Sequence, residues 1–463
     1  MGLLFSCMNS KPYEPENPKP PIQEVVEDKY GVAYMYDSSV IPEIHVTVSL
    51  DEWNSLLKAY DQNSKTKKNI HCGVRYLKDK EETVITDAAI RLRGNTSRRR
   101  PEGSNGQMHK SSGTDWHHCH FQINFRKFQK DDEHEVHGAR KIALKWFKDD
   151  PNYVRELYSY DLFRRAGIWT APNDVYCRLW LKVEGDQKET YFGVYNMIEP
   201  IDERFVKQRV DEFGSDEGFI WKCRYGADLR STGADIGADL DDDVEHVYEL
   251  KNSTKSLDKA TEQLKGFITK LNTLKGSEFH DWIASVCDVD LLMRTYAVNV
   301  TLGMWDDYWN NKNNYYLYFN STDPQDYKFF FIPYDYDNTL GTSSQCEAQS
   351  DSGRQDPFNW GRKENPLIYK ILQFDDFREI YRKELLRLVE PTEGLFYYTT
   401  SMQRIQKWQM SVKQFVSNDT GEDMSIKDAP ASWGNHSEYR LLDSGSDNFF
   451  KVKAESIKKY CTK

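Results

Sequence analysis

Residues 332 to 341 read IPYDYDNTLG, which puts Asp335 and Asp337 one residue apart at the end of an apolar run, FFFIPY. At strand periodicity the side chains of i and i+2 share a face, so the two carboxylates are expected side by side. Two unit charges about 4 Å apart repel by roughly 4 kcal/mol at an effective dielectric of about 20. Such a pair is tolerable when it is solvated, protonated or holding a cation.

Upstream, GMWDDYWNNKNNYYLYF carries Asp306 and Asp307, then Asn310, Asn311, Asn313 and Asn314, then an aromatic strand. The intervening NSTDPQDY reads as a turn, so the two strands are expected to pair as an antiparallel hairpin with both polar ends in one place. The donors are hard oxygens, which suit Mg²⁺ or Mn²⁺ with phosphate rather than zinc. In phosphoryl transfer one carboxylate orients the attacking hydroxyl or accepts its proton, while an acid and an amide hold metal against the phosphates. The order here is acid, asparagine, hairpin, acid, which is that of a protein-kinase catalytic segment, although no HRD, DFG or glycine-rich loop is legible. Asp and Asn are also common at hairpin ends for bonding their own backbone, and spacing alone leaves the two readings level.

Around these residues the pattern predicts an α+β protein. Residues 1–40 are proline-rich and charged, without a sustained hydrophobic period, and are expected to be a tether; residues 41–463 form the domain. A sheet-rich lobe is expected over 41–210. Alternation at Ile44, Val46 and Val48 marks a strand, and Ser49 or Asp51 caps a short helix. CGVRYL, ITDAAIRLRG, CHFQINF, RKIALKWF, DVYCRLWLKVEG and YFGVYNMIEPI continue the strand vocabulary. One helix interrupts them, PNYVRELYSYDLFRRAG, with Pro151 early, Gly167 as its stop, and Val154, Leu157, Leu162 and Phe163 facing the core. An insertion over 211–255, rich in Gly and Asp, lacks the spacing of a calcium loop and is expected to be solvated. Helical periodicity then covers 256–275, 278–300, 366–390, 394–416 and 448–460. This predicts a helix-rich lobe over 256–463, with a cleft between the lobes.

The formal net charge of -11 disfavours a nucleic-acid partner, because phosphate attraction needs a basic face. With aromatics at 14% the composition is not that of a disordered chain. The eight cysteines include no CxxC pair, which argues against a zinc ribbon or a redox motif. No stretch approaches the roughly 18 apolar residues of a membrane span. The opening MGLLFSC is similar to the end of a bacterial lipoprotein signal, in which a small residue precedes a lipidated cysteine, here Cys7. The basic and apolar regions of such a signal are missing, so a truncated signal is expected. The same letters fit the M-G-x-x-x-S myristoylation pattern, with Cys7 as a palmitoylation site. On the lipoprotein reading the protein sits in the cell envelope, periplasmic or surface-exposed, and reaches the membrane only through its lipid.

NNYYLYF and FFFIPYDYDNTLG are similar to the N-Y-Y-L-Y and I-P-W-D-x-D-x-T-x-G segments of the spore coat protein H (CotH) kinase family. IRLRGNTS resembles that family's R-G-N-S-S segment, DPNYVRELYSYDLFRRAGI its D-x-S-x-x-R helix, and YFGVYNMIEPIDERFV its Y-x-G-x-Y-x-x-x-E-x-I-D segment. The segments keep the family's order between about residue 44 and about residue 345. The chain is therefore identified as resembling a member of that family, of the Bacteroidetes lipoprotein type. The resemblance implies an atypical protein-kinase-like two-lobed fold that binds ATP with Mg²⁺ or Mn²⁺. It also implies transfer of the γ-phosphate to Ser or Thr of a partner protein, one rich in Ser/Thr or Lys/Arg.

Carried over by residue, Asp335 and Asp337 match the two acids of the P-W-D-x-D motif and would hold metal, joined by Asn314. Tyr334 stands where tryptophan is usual, beside the nucleotide. Asp307 or Asp306 is the counterpart of the catalytic acid, and the sequence does not separate them. Where many members read K-K-S-Y-x-I-x-F this chain reads HCHFQINF, with His118 and Cys119 at the lysine positions. Phosphate neutralisation then falls to Lys145 and Arg93, with Glu199 as the acid partner of the lysine. A Lys145 that merely snorkels from a sheet edge is favoured equally. His118 and His120 share a strand face, but no nearby spacing completes a zinc site. Arg155 and Asp161 read by default as solvated or interlobe ion pairs. The basic RLRGNTSRRRPEGSNGQMHKSSG is a flap, a docking patch for an acidic substrate, or a solvated loop. The competing function is a catalytically silent surface binding or adhesion module that has lost the lysine chemistry.

Overall fold

A computed structural model of the chain describes residues 31–111, 115–131, 133–240, 242–252, 255–342, 351–429 and 439–462. Seven strands come first: β1 (Glu43–Val48), β2 (Ile70–Lys78), β3 (Glu81–Arg93), β4 (His120–Asn124), β5 (Lys141–Lys145), β6 (Asp174–Val183) and β7 (Thr190–Ile198). They close into a barrel in the order β1-β2-β3-β4-β5-β7-β6. Neighbours are antiparallel except β1 and β6, which run parallel with Glu43 opposite Arg178 and Val48 opposite Val183. Closure leaves no unpaired edge. Ile44, Val46 and Val48 point into the barrel core as their alternation predicts. The helix Leu50–Gln62 is capped by Ser49, whose hydroxyl accepts from the Glu52 N–H at 3.2 Å, and it buries Trp53, Leu56 and Leu57.

Residues 31–40, expected in the tether, pack instead on the barrel. Met35 and Tyr36 join its core, and the Lys78 ammonium donates to the carbonyls of Tyr34 at 2.6 Å and Asp37 at 2.5 Å. Cys7 and the rest of 1–30 lie outside the described residues. Cys72, Cys119, Cys177, Cys223, Cys287 and Cys461 are buried free thiols.

A second sheet has the order β12-β11-β8-β10-β9, built from β8 (Phe219–Cys223), β9 (Ile236–Ala238), β10 (Tyr248–Leu250), β11 (Tyr315–Phe319) and β12 (Phe329–Pro333). The expected hairpin is β11 and β12, with Tyr315 opposite Pro333 and Phe319 opposite Phe329, and every residue of both strands is buried. The other edge of β11 pairs with β8, which corrects the reading of 211–255 as a solvated insertion. Tyr248, Glu249 and Leu250 are fully buried. Arg224 at 3.1 Å and Lys251 at 3.2 Å neutralise Glu249, while Lys67 at 3.4 Å and Lys251 neutralise Asp239. Of these cations Lys251 is a near neighbour of Glu249 in sequence, and the fold brings in Lys67 and Arg224.

Helices Leu257–Thr273, Gly276–Val286, Val289–Thr301, Asp375–Leu388, Tyr398–Val412 and Phe449–Cys461 make up most of the second half and add to the core under this sheet. The single helix expected over 278–300 breaks at Asp288, whose carboxylate accepts from the Leu291 N–H at 2.9 Å and starts a new one. Helix Arg155–Arg165 links the halves. It begins after Pro151, ends at Gly167 with φ +79°, and sends Val154, Leu162 and Phe163 into the core of the second half. The result is an α+β protein, sheet-rich first and helical later, with one hydrophobic core inside the barrel and another under the second sheet. Among the described residues no helix is long and apolar enough to cross a membrane.

Candidate active site

A cleft of about 820 Å³ lies between the barrel and the second sheet. Lys145 closes β5 at one wall of it. Its Nζ lies 3.0 Å from Glu156 Oε2 and 3.0 Å from Asp337 Oδ2, and it also pairs with Asp335. Glu156 occupies the first turn of Arg155–Arg165 and is buried. Lys145 therefore does not snorkel from an edge; it sits at the hub of three carboxylates.

The two hairpin acids do meet, but strand periodicity is not the cause. β12 ends at Pro333, and Asp335 adopts a left-handed conformation with φ +62°. That backbone is uncommon for a residue with a side chain, and it is held by Tyr160, whose hydroxyl accepts from the Asp335 N–H at 2.9 Å. One ammonium cannot neutralise three carboxylates. Burial opposes the charge of Asp335, but Lys145 outweighs it and holds that carboxyl below its usual range. Asp337 is pushed up to about 8 by burial, with Asp335 and Glu156 adding to the rise against Lys145. Glu156 is raised by burial too, against the pull of Lys145. The cluster has room for more positive charge.

Asp306 and Asp307 separate in the structure. Asp306 lines the cleft and accepts from the side-chain amides of Asn311 at 2.5 Å, Asn314 at 2.9 Å and Asn313 at 3.1 Å. Burial raises it to about 6, with those amides opposing and Asp335 adding to the rise. Asp307 is buried away from the cleft. It caps the turn Tyr308–Asn311, accepting from the Asn310 N–H at 2.7 Å and from the Asn299 amide at 2.5 Å, and burial pushes it up to about 8. Its geometry is that of a structural cap.

The remaining candidates divide. Arg93 ends β3 in the cleft, and its guanidinium donates to the Tyr334 hydroxyl at 2.5 Å. Glu199 lines the cleft but pairs with Arg209 at 2.7 Å and accepts from Asn173, so Glu156 takes the part expected of it beside Lys145. Asn314 spends its amide on Asp306, and its side-chain oxygen accepts no bond among the described residues. His118 and His120 do not converge. His118 bonds Glu422 at 2.7 Å and the Phe192 carbonyl at 2.6 Å, while His120 Nδ1 accepts from the Trp146 N–H at 3.1 Å. Arg155, far from solvated, is buried against Asp150 at 2.5 Å, and Asp161 bridges Arg165 and Arg404.

Of the described residues of the basic segment, Arg91 and residues 93–98 line the cleft. Gly94 turns there with φ +104°, and a Cβ on it would lie 2.7 Å from Ser97 Oγ. Beyond it the segment is clamped to the barrel through Arg100 on Asp61 at 2.8 Å and through His109, which lies between Glu102 at 3.0 Å and Asp186 at 2.9 Å. Ala143 and Ile198, paired across β5 and β7, and Ile201 give the same cleft an apolar stretch of wall.

No three His, Cys, Asp or Glu side chains among the described residues form a ready metal shell. A zinc-like site is not what the oxygens suit. Mg²⁺ is held by one or two carboxylates with the rest of its shell from water and substrate phosphate, and Asp335 and Asp337 fit that pattern. Sequence reasoning missed Glu156, the amides of Asn311 and Asn313 as partners of Asp306, and Lys222 of β8, whose side chain lines the cleft. The Glu beside Arg155 in a well-formed helix was the one available signal.

Inner spore coat protein H of Bacillus subtilis (strain 168) is 27% identical over 284 residues, which span 61% of this chain and 70% of that protein. A family model described as CotH kinase protein matches residues 90–461, from β3 to the last helix and so through the C-terminal third that carries no legible motif. With most of its length matched, the chain belongs to the CotH kinase protein family.

Proposed function

We propose that this protein is a kinase that moves the γ-phosphoryl group of ATP to a Ser or Thr hydroxyl of a partner protein. The observation that carries the reading is the convergence of Lys145, Glu156, Asp335 and Asp306 on one cleft. A strand-borne lysine tied to a helix-borne glutamate, facing an acid after a hairpin and a second acid among asparagines, supplies the parts that phosphoryl transfer needs.

In this reading the apolar wall at Ala143, Ile198 and Ile201 takes the adenine, and Lys145 turns from the acids toward the phosphates while Glu156 keeps it oriented. Asp335, Asp337 and Asn314 would hold Mg²⁺ or Mn²⁺, which neutralises charge on the phosphates. Asp306 orients the acceptor hydroxyl and takes its proton as the new O–P bond forms; the bond to the β-phosphate oxygen breaks and ADP leaves. A surface or envelope location, with lipid at Cys7, belongs to the same proposal and is in keeping with a relative named for the spore coat. A second reading, a silent binding module, is favoured by His118 and Cys119 at positions where lysines are usual.

Thermal unfolding with and without nucleotide separates the two. A ligand that binds only the native state raises stability by about 2.7 kcal/mol at 100 times its dissociation constant. The kinase reading expects a Tm increase with MgATP that is lost in Lys145→Met. No increase at millimolar MgATP favours the binding module.

A further inference from the structure

Lys222 lies in β8 opposite Tyr316 of β11, and its side chain enters the cleft. The ammonium sits 5.3 Å from the centre of the Tyr334 ring, a cation–π contact. Among the described residues no carboxylate or carbonyl accepts a bond from it. Its surroundings are adverse: Arg93, Arg224 and Lys251 are neighbouring cations, and the nearby acids are already engaged, Glu249 by Arg224 and Lys251 and Asp335 by Lys145. Burial, followed by Arg224 and Lys251, drives its pKa well below the usual lysine value. A cation held this way contributes little to folding, because a desolvated charge costs free energy unless it is paired.

Arg93 shares the problem. One terminal nitrogen donates to the Tyr334 hydroxyl, and the other is buried with no acceptor. Tyr334 thus meets Arg93 at its hydroxyl and Lys222 at its face, and the next residue is Asp335. Unspent donors on both sides of one tyrosine, beside the acids of the candidate metal site, call for an anion with several oxygens.

We propose that Lys222 and Arg93 form an anion cradle for a phosphate chain, gripping it from the second sheet and from β3 while Lys145 reaches it from β5. The inference rests on the nucleotide reading of the cleft. It assigns to the 211–255 segment a direct part in binding substrate.

The test measures binding in EDTA, so that metal takes no part, using ATP, tripolyphosphate and adenosine as probes of wild type, Lys222→Met and Lys222→Arg. A charge-assisted hydrogen bond corresponds to about a tenfold to hundredfold change in affinity. Lys222→Met is expected to weaken ATP and tripolyphosphate by that factor, to leave adenosine unchanged, and to raise the Tm of the ligand-free protein by relieving repulsion. Lys222→Arg restores the anion affinity. An ATP affinity unchanged in Lys222→Met overturns the cradle alone. A Tm that falls, with adenosine weakened in proportion, makes Lys222 structural and overturns it as well. Tripolyphosphate bound and lost in Lys222→Met, with adenosine never bound, upholds the cradle and removes the nucleotide. A wild type that binds neither ATP nor tripolyphosphate defeats both.

Discussion

Lys145 Nζ and Glu156 Oε2 lie 3.0 Å apart, joining the last residue of β5 to the first turn of Arg155–Arg165. The bond gives Lys145 a partner other than the acids after β12, so the lysine is held at the cleft wall without depending on Asp335 and Asp337. Replacing Glu156 by Gln keeps the shape and removes the charge, leaving Lys145 drawn to those two acids alone. Loss of a charged hydrogen bond is worth about 1.5–3 kcal/mol. Phosphotransfer is therefore expected to fall about tenfold to hundredfold with a higher KM for ATP, while the circular dichroism spectrum is unchanged. Full activity in Glu156→Gln would show that Lys145 needs no helix partner.

Asp306 and Asp307 are adjacent in sequence and should behave oppositely. Asp306→Asn is expected to lower kcat by about 100-fold or more, the usual range for a lost general base, with Tm within a few degrees of wild type. Asp307→Ala removes a cap and strands the Asn299 amide. Together these cost about 2 kcal/mol, read as a lower urea midpoint with most of the activity per folded molecule retained. The reverse pattern would exchange their roles.

The pH profile follows from Asp306. Its proton leaves near pH 6, raised by burial, and a base acts only when ionised. Activity should fall as pH drops through about 6 with a slope of one proton, and the slope should be absent from the residual activity of Asp306→Asn. A flat profile from pH 5 to 8 in the wild type would exclude Asp306 as the acceptor.

Legibility in the sequence varied with the range of the contacts. β11 and β12 are legible because each is an unbroken apolar run bounded by polar residues, and the acids at their ends follow. Barrel closure is not, because it rests on β1 pairing with β6, far along the chain, and a local period does not say which strands meet. The 211–255 segment misleads because β9 and β10 are three residues each and its acids find Lys67 and Arg224 only after folding. Asp335 and Asp337 are correctly grouped for a reason that does not apply, since a left-handed turn and not a strand brings them to Lys145. Glu199 and Glu156 are both acids in matched segments, and only distance tells which meets the lysine.

A strap from the C-terminal third crosses the barrel at Glu422, which accepts from the His118 N–H at 2.8 Å, from its ring at 2.7 Å and from Arg99 at 2.8 Å. Burial opposes ionisation, but His118 and Arg99 outweigh it and bring the carboxyl down to about 2. A depressed carboxylate stabilises fully above its unfolded value near 4.5 and loses that contribution as pH falls toward 2. Hydrogen exchange across 416–428 should therefore accelerate between pH 4.5 and pH 2.5 relative to the barrel strands, and Glu422→Gln should show the faster exchange already at pH 7. Equal exchange in the variant and wild type at pH 7 would mean that Glu422 does not anchor the strap.

The most direct measurement is transfer of labelled phosphate from ATP, with Mg²⁺ or Mn²⁺, to the protein itself and to a Ser-rich basic protein, for wild type, Asp335→Ala and Asp306→Asn. Labelling by the wild type is expected to disappear in Asp335→Ala and to be nearly lost in Asp306→Asn, with both variants folded. Labelling that persists in Asp335→Ala, or no labelling by a wild type that also shows no Tm increase with MgATP, would contradict it.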